Sequence, residues 1–495
     1  MSIEKAQLSL ANNDFEEAKK ILRSLLLRDK VNKDAMYLLS IAEAELGNVE
    51  EALNGLSRII ATDPQHAAAH YTKAKLLIRL NRHFDALPHH NRAVKHLASN
   101  PWAFINRGIS HAALKNFTEA IDDFDMAIKL DPTLSAAFGN KGNALFETKL
   151  FEQSIEFLDK AIELDSFNVD ALLGKSACLT KLKRPEEALI YAERAIELKP
   201  DYAEAWSSRG NALNDLKRHE EALASYKRAI ELKPDYAEAW NNRGVALNDL
   251  RRHEEALASY ERSIELKPDY AEAWNNRGVA LNDLKRHEDS ATSFFKADSL
   301  KKQRDFDFGR AHHQMMLSCN WTDYASYTET INQGIERGEF LAQPFGYQGI
   351  AESELLLKKC AEIYCNQKFP ASLGLFSFNR SRSSRIRIGY LCGEFRSQAT
   401  SHLMTGIWEH HDSLKFELFG LDNGWGDDSD YRKRIKIAFP NFSDISALSD
   451  LEVARFINET RIDILVNLNG YFGKPRQEVF ALKPALTCPP NSAPG

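Results

Sequence analysis

The chain has 495 residues, of which 43% are hydrophobic, and its 70 acidic residues outnumber its 64 lysines and arginines to give a formal net charge of −6. This length predicts more than one domain, and the lack of a positive overall charge disfavours nucleic acid as the main partner. The amino-terminal segment is charged where a signal peptide needs an apolar run, so no signal peptide is predicted. No apolar run reaches about 18 residues, so no membrane span is predicted.

A repeat with a period of 34 residues fills the first part of the chain. The stretch AEAWNNRGVALNDL occurs at 237–250 and again at 271–284, and Trp206, Trp240 and Trp274 keep the same step. Within one unit the tryptophan, a glycine four residues later and a leucine seven residues later share one helical stripe. A second helix follows and ends at a proline. Each unit is therefore predicted to be a helical hairpin that stacks on its neighbours.

The pattern W-x-x-x-G, then A-x-x-x-[YF]-x-x-A, then P, at this period is similar to the tetratricopeptide repeat. Its register extends over about 300 residues, so about nine repeats are predicted over residues 1–302. The residue at each Trp position is interpreted as part of the core between helices.

Asparagines recur two places after the Trp position, at Asn106, Asn140, Asn242 and Asn276, which we call the ladder asparagines. A carboxamide carries donors and an acceptor that suit both the N–H and the C=O of an extended peptide. The pattern alone leaves two interpretations open, namely sequence-tolerant peptide binding or a solvated helix face.

The pattern changes after residue 302. Residues 303–370 remain helical in pattern without the landmarks of the repeat, which predicts a helical cap or adaptor, and residues 371–384 are predicted to be a linker. From residue 385, short apolar runs of strand length alternate with helical stretches, which predicts a parallel, doubly wound sheet. The predicted strands are 386–391, 416–421 and 462–468.

Ligands of such sheets bind beyond the carboxyl ends of the strands. The segment CGEFRSQATSHLM follows the first predicted strand and NLNGYFGK follows the third. Neither is a G-x-G-x-x-G or P-loop motif, so neither a nicotinamide nor an ATP site is predicted. The six cysteines lie far apart without a C-x-x-C pair, which predicts reduced thiols in the cytoplasm and neither a disulfide framework nor a zinc site.

The segments RIRIGYLCGEFRSQATSHLM, KFELFGL and RIDILVNLNGYFGKPRQEVFALKPA, preceded by CNWTDY and the repeats, resemble the SPINDLY-type and O-GlcNAc transferase family of protein glycosyltransferases. The resemblance implies two Rossmann-like lobes around an active site, of which residues 385–485 would form part of the first. It implies transfer of N-acetylglucosamine, or of fucose in one branch, from a nucleotide sugar to Ser/Thr of polypeptides. The donor implied here is UDP-GlcNAc, with no metal or other cofactor, and the ladder asparagines are implied to grip the substrate backbone.

The resemblance also marks candidate site residues. The family has a histidine where this chain has Gln398, and glutamine cannot act as a base near neutral pH. His402 matches a later histidine of the same run, and both a catalytic and a structural role stay open for it. Asp463 stands where some relatives have histidine, and is either catalytic or a satisfied strand residue. The expected sugar and acceptor cleft comprises Asn467, Asn469, Gly470 and Tyr471.

The family continues after ALKPA into a second lobe, whereas this chain continues as LTCPPNSAPG over residues 486–495. We therefore expect this chain to lack the nucleotide-binding lobe and to be inactive alone, because the groups that stabilise the leaving diphosphate would be missing. The alternative function is a tetratricopeptide scaffold that binds proteins without catalysis.

Overall fold

A computed structural model describes residues 2–301, 305–370, 375–376, 385–427, 429–470 and 476–485. The chain divides into two compact units, Met1–Leu250 and Arg251–Gly495. None of the helices in the described ranges combines the length and the apolar character that crossing a bilayer requires.

The first unit consists of consecutive antiparallel helices. From α2 to α15 the even-numbered helices have 14 residues and the odd-numbered helices 13, so one hairpin repeats with its turns. The helices are α1 (Ile3–Ala11), α2 (Phe15–Arg28), α3 (Lys33–Glu45), α4 (Val49–Thr62), α5 (Ala67–Arg79), α6 (His83–His96), α7 (Pro101–Ala113), α8 (Phe117–Leu130), α9 (Ser135–Glu147), α10 (Phe151–Leu164), α11 (Val169–Lys181), α12 (Pro185–Leu198), α13 (Ala203–Asp215), α14 (His219–Leu232) and α15 (Ala237–Asp249).

Close packing inside each hairpin depends on a small residue in its first helix. A Cβ placed on Gly210 of α13 would lie 2.5 Å from the ring of Tyr226 on α14, which is 2% exposed. The residues at the Trp position were predicted to belong to the core, and they are not all equally buried. Phe104 is buried, whereas Trp206 is only half-buried and its indole N–H donates to the carbonyl oxygen of Pro200 at 2.9 Å. The tryptophan therefore also bonds the loop that precedes its own helix, α13.

The turn inside each hairpin contains one residue with positive φ, a conformation that costs an L residue about 1–2 kcal/mol. These residues recur every 34 positions, at Asn13, Gly47, Asn81, Lys115, Lys149, Lys183 and Lys217 in the first unit and at Arg251, Lys285 and Cys319 in the second. Cys319 lies between two helices of the predicted cap. The hairpin turn of the repeat thus recurs once more in a segment whose sequence has lost the other landmarks.

The helices of the second unit precede and surround a small sheet. They are α16 (His253–Leu266), α17 (Ala271–Asp283), α18 (His287–Leu300), α19 (Asp307–Leu317), α20 (Tyr324–Glu336), α21 (Pro344–Gln348), α22 (Glu354–Lys368), α23 (Ala399–Glu409), α24 (Asp430–Ala438), α25 (Asp450–Glu459) and α26 (Gln477–Ala481). The predicted borders at 302, 370 and 384 stay predictions, because residues 302–304, 371–374 and 377–384 lie outside the described residues.

The sheet has four strands, β1 (Ile386–Cys392), β2 (Phe416–Asp422), β3 (Asn441–Asp444) and β4 (Ile464–Asn467), in the order β3-β2-β1-β4. Every pair is parallel, and Ile386 lies opposite Phe416. The predicted class, a tetratricopeptide helical array followed by a parallel α/β segment, is confirmed. The edge strand β3 was not predicted, because its sequence, NFSD, carries a single apolar residue.

Alternate residues of the central strand pack on opposite faces of the sheet, as the period of two requires. Ile388, Tyr390 and Cys392 pack with Trp408 of α23 in one cluster. Leu391 packs with residues of α25 and α26 in a second cluster on the other face. Helices therefore cover both faces, which leaves the loops beyond the strand ends as the accessible part of the sheet.

Candidate functional site

A groove of about 650 Å³ lies in the first unit and is lined by residues of α7, α9, α11 and α13. The ladder position contributes Asn140, Gly174 and Ser208 in successive repeats. The ladder is therefore interrupted between Asn140 and Asn242. At Gly174 the space that a Cβ would occupy is taken by the side chain of Asn143, whose Oδ1 would be 2.4 Å from it.

Each ladder asparagine of the first unit is half-buried. The Nδ2 group of Asn106 donates to the Tyr71 hydroxyl at 3.0 Å, that of Asn140 to the carbonyl of Ala136 at 2.8 Å, and that of Asn242 to Oδ1 of Asn211 at 3.0 Å. One amide hydrogen is thus used to orient the side chain, and a carboxamide has a second one for a ligand.

The fourth ladder residue, Asn276, belongs to α17 in the second unit, where its Oδ1 accepts from Nδ2 of Asn275 at 3.3 Å. Two further amides of the first-unit groove, Asn143 and Asn211, were missed by the sequence reasoning. Both stand three residues after a ladder position, on the same helix face one turn later, and that spacing is the signal that would have found them.

Tyrosine and carboxylate side chains line the end of the groove nearest α13. The Tyr202 hydroxyl donates to Oδ1 of Asp170 at 3.1 Å, and Lys233 forms a 2.8 Å ion pair with Glu204. Burial, followed by the negative charge of Asp170, raises the pKa of Tyr202 to about 12. This hydroxyl therefore stays protonated and holds the Asp170 carboxylate in place.

The loops after β1 and β4 meet at the edge where the strand order reverses, which is where ligands of such sheets bind. The backbone N–H of Gly393, after β1, donates to Oδ1 of Asn469, after β4, at 2.7 Å. Oδ1 of Asn467 accepts from the N–H groups of Asn469 at 3.0 Å and Gly470 at 3.1 Å, and Gly470 has a φ of +53°. The two asparagines therefore shape the loop. Tyr471, the fourth residue predicted for this cleft, lies outside the described residues.

Gln398 and His402 lie together at the exposed start of α23, directly after the β1 loop. Gln398 is the residue before the first helical turn and its side chain makes no capping bond, while its carbonyl accepts from the backbone N–H of His402 at 3.0 Å. The His402 ring packs on Tyr431 with centroids 4.1 Å apart, and its Nε2 lies 3.4 Å from the Ser397 hydroxyl. Both side chains are exposed, so Gln398 and His402 place polar groups on the surface at the start of α23.

Asp463 lies at the other end of the sheet. Its backbone N–H donates to the carbonyl of Arg387 and its Oδ2 accepts from the N–H of Arg387, at 2.9 and 2.8 Å. Arg387 and the carboxyl end of β1 at Cys392 are five residues apart, or about 17 Å at 3.3 Å per residue. The structure therefore does not bring Asp463 together with Gln398 and His402, and its two bonds pair the amino ends of β1 and β4.

The loop after β2 packs tightly on the loop after β1. A Cβ on Gly424 would lie 2.2 Å from the carbonyl oxygen of Gly393. The buried guanidinium of Arg432 on α24 donates to Oδ2 of Asp422 at 2.7 Å and to the carbonyl of Phe395 at 2.8 Å. Sequence reasoning missed these residues, which hold the first two strand ends together.

Among the described residues at this edge, Cys392 carries a thiol that lies in the core of the sheet. Burial raises the pKa of Cys392 to about 12, and its sulfur accepts from the backbone N–H of Glu394 at 3.3 Å. A nucleophilic cysteine needs a thiolate, so Cys392 serves the core of the sheet.

Comparison with known families places two kinds of sequence in the chain. Residues 358–488 match Glycosyl transferase family 41. Residues 9–76, 101–134, 140–203 and 237–270 match tetratricopeptide repeat families, and residues 210–250 match a TPR repeat family. The resemblance stated from the sequence, tetratricopeptide repeats with a glycosyltransferase segment, is confirmed.

Individual relatives match over shorter stretches. The probable UDP-N-acetylglucosamine–peptide N-acetylglucosaminyltransferase SEC of Arabidopsis thaliana is 39% identical over 101 residues, which are 20% of this chain and 10% of that protein. The UDP-N-acetylglucosamine–peptide N-acetylglucosaminyltransferase of Caenorhabditis elegans is 35% identical over 109 residues, 22% of this chain and 10% of that protein. The matches thus span a tenth of the length of these relatives. The crystal structure of YrrB, a TPR protein with an unusual peptide-binding site, aligns with 26% identity and a TM-score of 0.30 over 37% of this chain and 95% of that chain.

Proposed function

We propose that this chain, which carries tetratricopeptide repeats and a segment of glycosyl transferase family 41, acts in the O-glycosylation of proteins. Its substrates are polypeptides held in the repeat groove, and its donor is UDP-GlcNAc. The observation that carries the proposal is the presence, in one chain, of the family 41 match over residues 358–488 and of an amide-lined groove in the repeats. The cysteines lie far apart in the sequence without a C-x-x-C pair, which suits a reducing compartment, and we place the protein in the cytoplasm.

The proposed step is a group transfer in which a Ser or Thr hydroxyl oxygen attacks C1 of N-acetylglucosamine. The new C1–O bond forms as the bond from C1 to the diphosphate oxygen breaks, UDP leaves with the electron pair, and the hydroxyl proton passes to a base or to solvent. Gln398 can hydrogen-bond a sugar or acceptor hydroxyl but takes up no proton near neutral pH. His402, one turn further along α23, is the titratable group placed next to it.

The leaving diphosphate needs positive charge in the transition state. Two arginines at this edge use their guanidinium groups within the fold. Arg432 bonds Asp422 and Phe395, and Arg476 donates to Asn423, Ile445 and Leu448. We therefore expect neither of these two guanidinium groups to contact the diphosphate of the donor.

A second function, a protein-binding scaffold without catalysis, is favoured by one observation, namely that the position where the family has a histidine is occupied by the non-basic Gln398. The two functions differ in nucleotide binding. Calorimetry with UDP on the protein isolated from its own cells separates them, because a scaffold gives no heat while a transferase binds the nucleotide.

The decisive experiment measures transfer of labelled N-acetylglucosamine from UDP-GlcNAc to Ser/Thr peptides. It uses the protein isolated from its own cells and measures binding of the same peptides in parallel. We expect this protein both to bind the peptides and to transfer the sugar to them. Peptide binding without transfer would refute the glycosyltransferase proposal and support the scaffold.

Replacement of the ladder asparagines by alanine is expected to weaken the binding of long peptides more than that of short ones, because a long peptide spans more repeats. Each side chain that bonds a peptide backbone group contributes about 0.5–1.5 kcal/mol, so each loss weakens binding about two- to tenfold. Fluorescence anisotropy with peptides of two lengths measures the effect on variants at Asn106, Asn140, Asn242 and Asn276.

The matched control is Asn54→Ala, because Asn54 is an exposed asparagine on α4 outside the ladder. This variant is expected to bind both peptides as the unaltered chain does. An equal loss for short and long peptides in the ladder variants would contradict the proposed role.

A further inference from the structure

Three core positions of the repeat carry histidine in one place, and the other repeats from α3 onward have apolar residues there, except for Glu43 at the position of His111. His70 occupies the Trp position, and His90 and His111 occupy the positions of Tyr226 and Leu213. His70 is 5% exposed and His90 is fully buried. Breaks in an otherwise consistent core pattern are expected where a protein uses the break. We call His70, His83, His89, His90 and His111, on α5, α6 and α7, the histidine seam.

The seam contains polar atoms that the described part of the chain leaves without hydrogen bonds. Both ring nitrogens of His90 are buried and unpartnered there, as are Nδ1 of His83 and His111 and the hydroxyl of Ser110. Buried polar groups are normally paired, and each unpaired one costs about 1–3 kcal/mol. The packing of α5, α6 and α7 around the seam is therefore less stable than that of repeats whose core is apolar.

Geometry limits how many protons the seam holds. Nδ1 of His70 lies 2.8 Å from Nδ1 of His89, and Nε2 of His70 lies 3.2 Å from the carbonyl oxygen of Pro64. The carbonyl can only accept, so His70 donates through Nε2–H and accepts at Nδ1 from His89. A proton added to Nδ1 of His70 would place two donors face to face.

The surroundings add positive charge. Burial first, and then the cations Lys73 and Arg107 respectively, lower the pKa of His89 to about 4 and that of His90 to about 3. Burial also lowers the pKa of His70. The charged and titratable groups that face the seam are His66 and Lys73 from α5, Asp85 and Arg92 from α6, Arg107 from α7, and Asp123 of α8, which forms an ion pair with Arg107.

We propose that the histidine seam is an acid-operated opening point in the repeat array, at which protonation releases α6 from α7. The folded seam favours the neutral imidazoles of His70, His89 and His90, whereas in the opened segment these three bind protons at the ordinary histidine pKa of about 6.5. The stability that the seam gains from neutral histidines is therefore fully present above pH 6.5, and it is lost as the pH falls from there towards 4. Because Ile109 and Ala112 of α7 line the first-unit groove, opening changes that end of the groove.

The test is hydrogen exchange of the full chain at pH 7.5 and pH 5.0, corrected for the intrinsic effect of pH on exchange. Protection of α5, α6 and α7 is expected to fall at least tenfold at the lower pH, while α13 and α14 change little. A variant with His90→Phe and His111→Leu, which restores the residue types of other repeats, is expected to keep its protection. His219→Leu is the matched control, since His219 stands at the His83 position four repeats later and bonds Asn214 at 2.7 Å.

Equal protection of the seam at both pH values in the unaltered chain would overturn the proposal. So would a pH-dependent loss of protection that spreads evenly over the first unit or that persists in the double variant. NMR titration of the unaltered chain gives a measurement that needs no variant. Titration of His70, His89 and His90 near pH 6.5 without any opening would also overturn it.

Discussion

Arg432→Met is expected to lower the free energy of unfolding of the α/β segment by about 3–5 kcal/mol, because it leaves the carboxylate of Asp422 buried without its partner. Asp422 is 0% and Arg432 8% exposed, and their ion pair measures 2.7 Å. The same substitution removes the donor to the Phe395 carbonyl. Urea unfolding followed by hydrogen exchange in β1 and β2 measures the loss in the full chain.

Arg434→Met is the matched control, because it makes the same change two residues further along the same helix. Arg434 pairs with Glu409 at the surface, where side-chain relative exposures are 50% and 28%. Surface ion pairs are screened by solvent, so no measurable change is expected. Equal destabilisation by the two substitutions would show that the helix tolerates neither and that the Asp422 contact is not the cause. The variant Asp422→Leu with Arg432→Met should recover part of the loss, because it removes both charges.

Arg432 and Arg434 look alike in the sequence, and only the structure shows that they differ in burial. In DYRKRIKIA both arginines have the appearance of solvated helix residues. Only the three-dimensional packing of α24 on the ends of β1 and β2 distinguishes Arg432. The central strands were predictable because each is a run of apolar residues buried on both faces. The edge strand β3 has no such run and is defined by its pairing with β2.

The candidate site shows the same division. The order of elements and the rule for parallel sheets placed Gln398, Asn467 and Asn469 at the carboxyl edge. Which atoms these amides use depends on loop geometry, and Asn467 bonds its own loop. Asp463 directly precedes β4, whereas Asn467 ends it, so the two residues lie at opposite ends of the strand. In the repeats, the period of 34 located the ladder, while the neighbouring amides of the groove appeared only in the packed helices.

Gly424→Ala is expected to disturb the candidate site more than its size suggests. The added Cβ would lie 2.2 Å from the carbonyl oxygen and 2.9 Å from the carbonyl carbon of Gly393, and both are backbone atoms without a rotamer to change. The loops after β1 and β2 must therefore move apart, at a cost of about 1–3 kcal/mol. The N–H of Gly393 is bonded to Asn469, so the displacement extends to the loop after β4.

If the sugar binds at this edge, the substitution lowers the rate of sugar transfer by more than it lowers stability. A misplacement of about 1 Å costs up to about a hundredfold in rate, and we expect a loss of that order in kcat/KM for sugar transfer by the protein isolated from cells that express the variant. Gly406→Ala is the control, since a Cβ on Gly406 of α23 meets nothing within 4 Å and alanine favours the helix by about 1 kcal/mol. If Gly424→Ala lowers stability but leaves kcat/KM unchanged, the meeting point of the three loops is structural, and the sugar binds elsewhere.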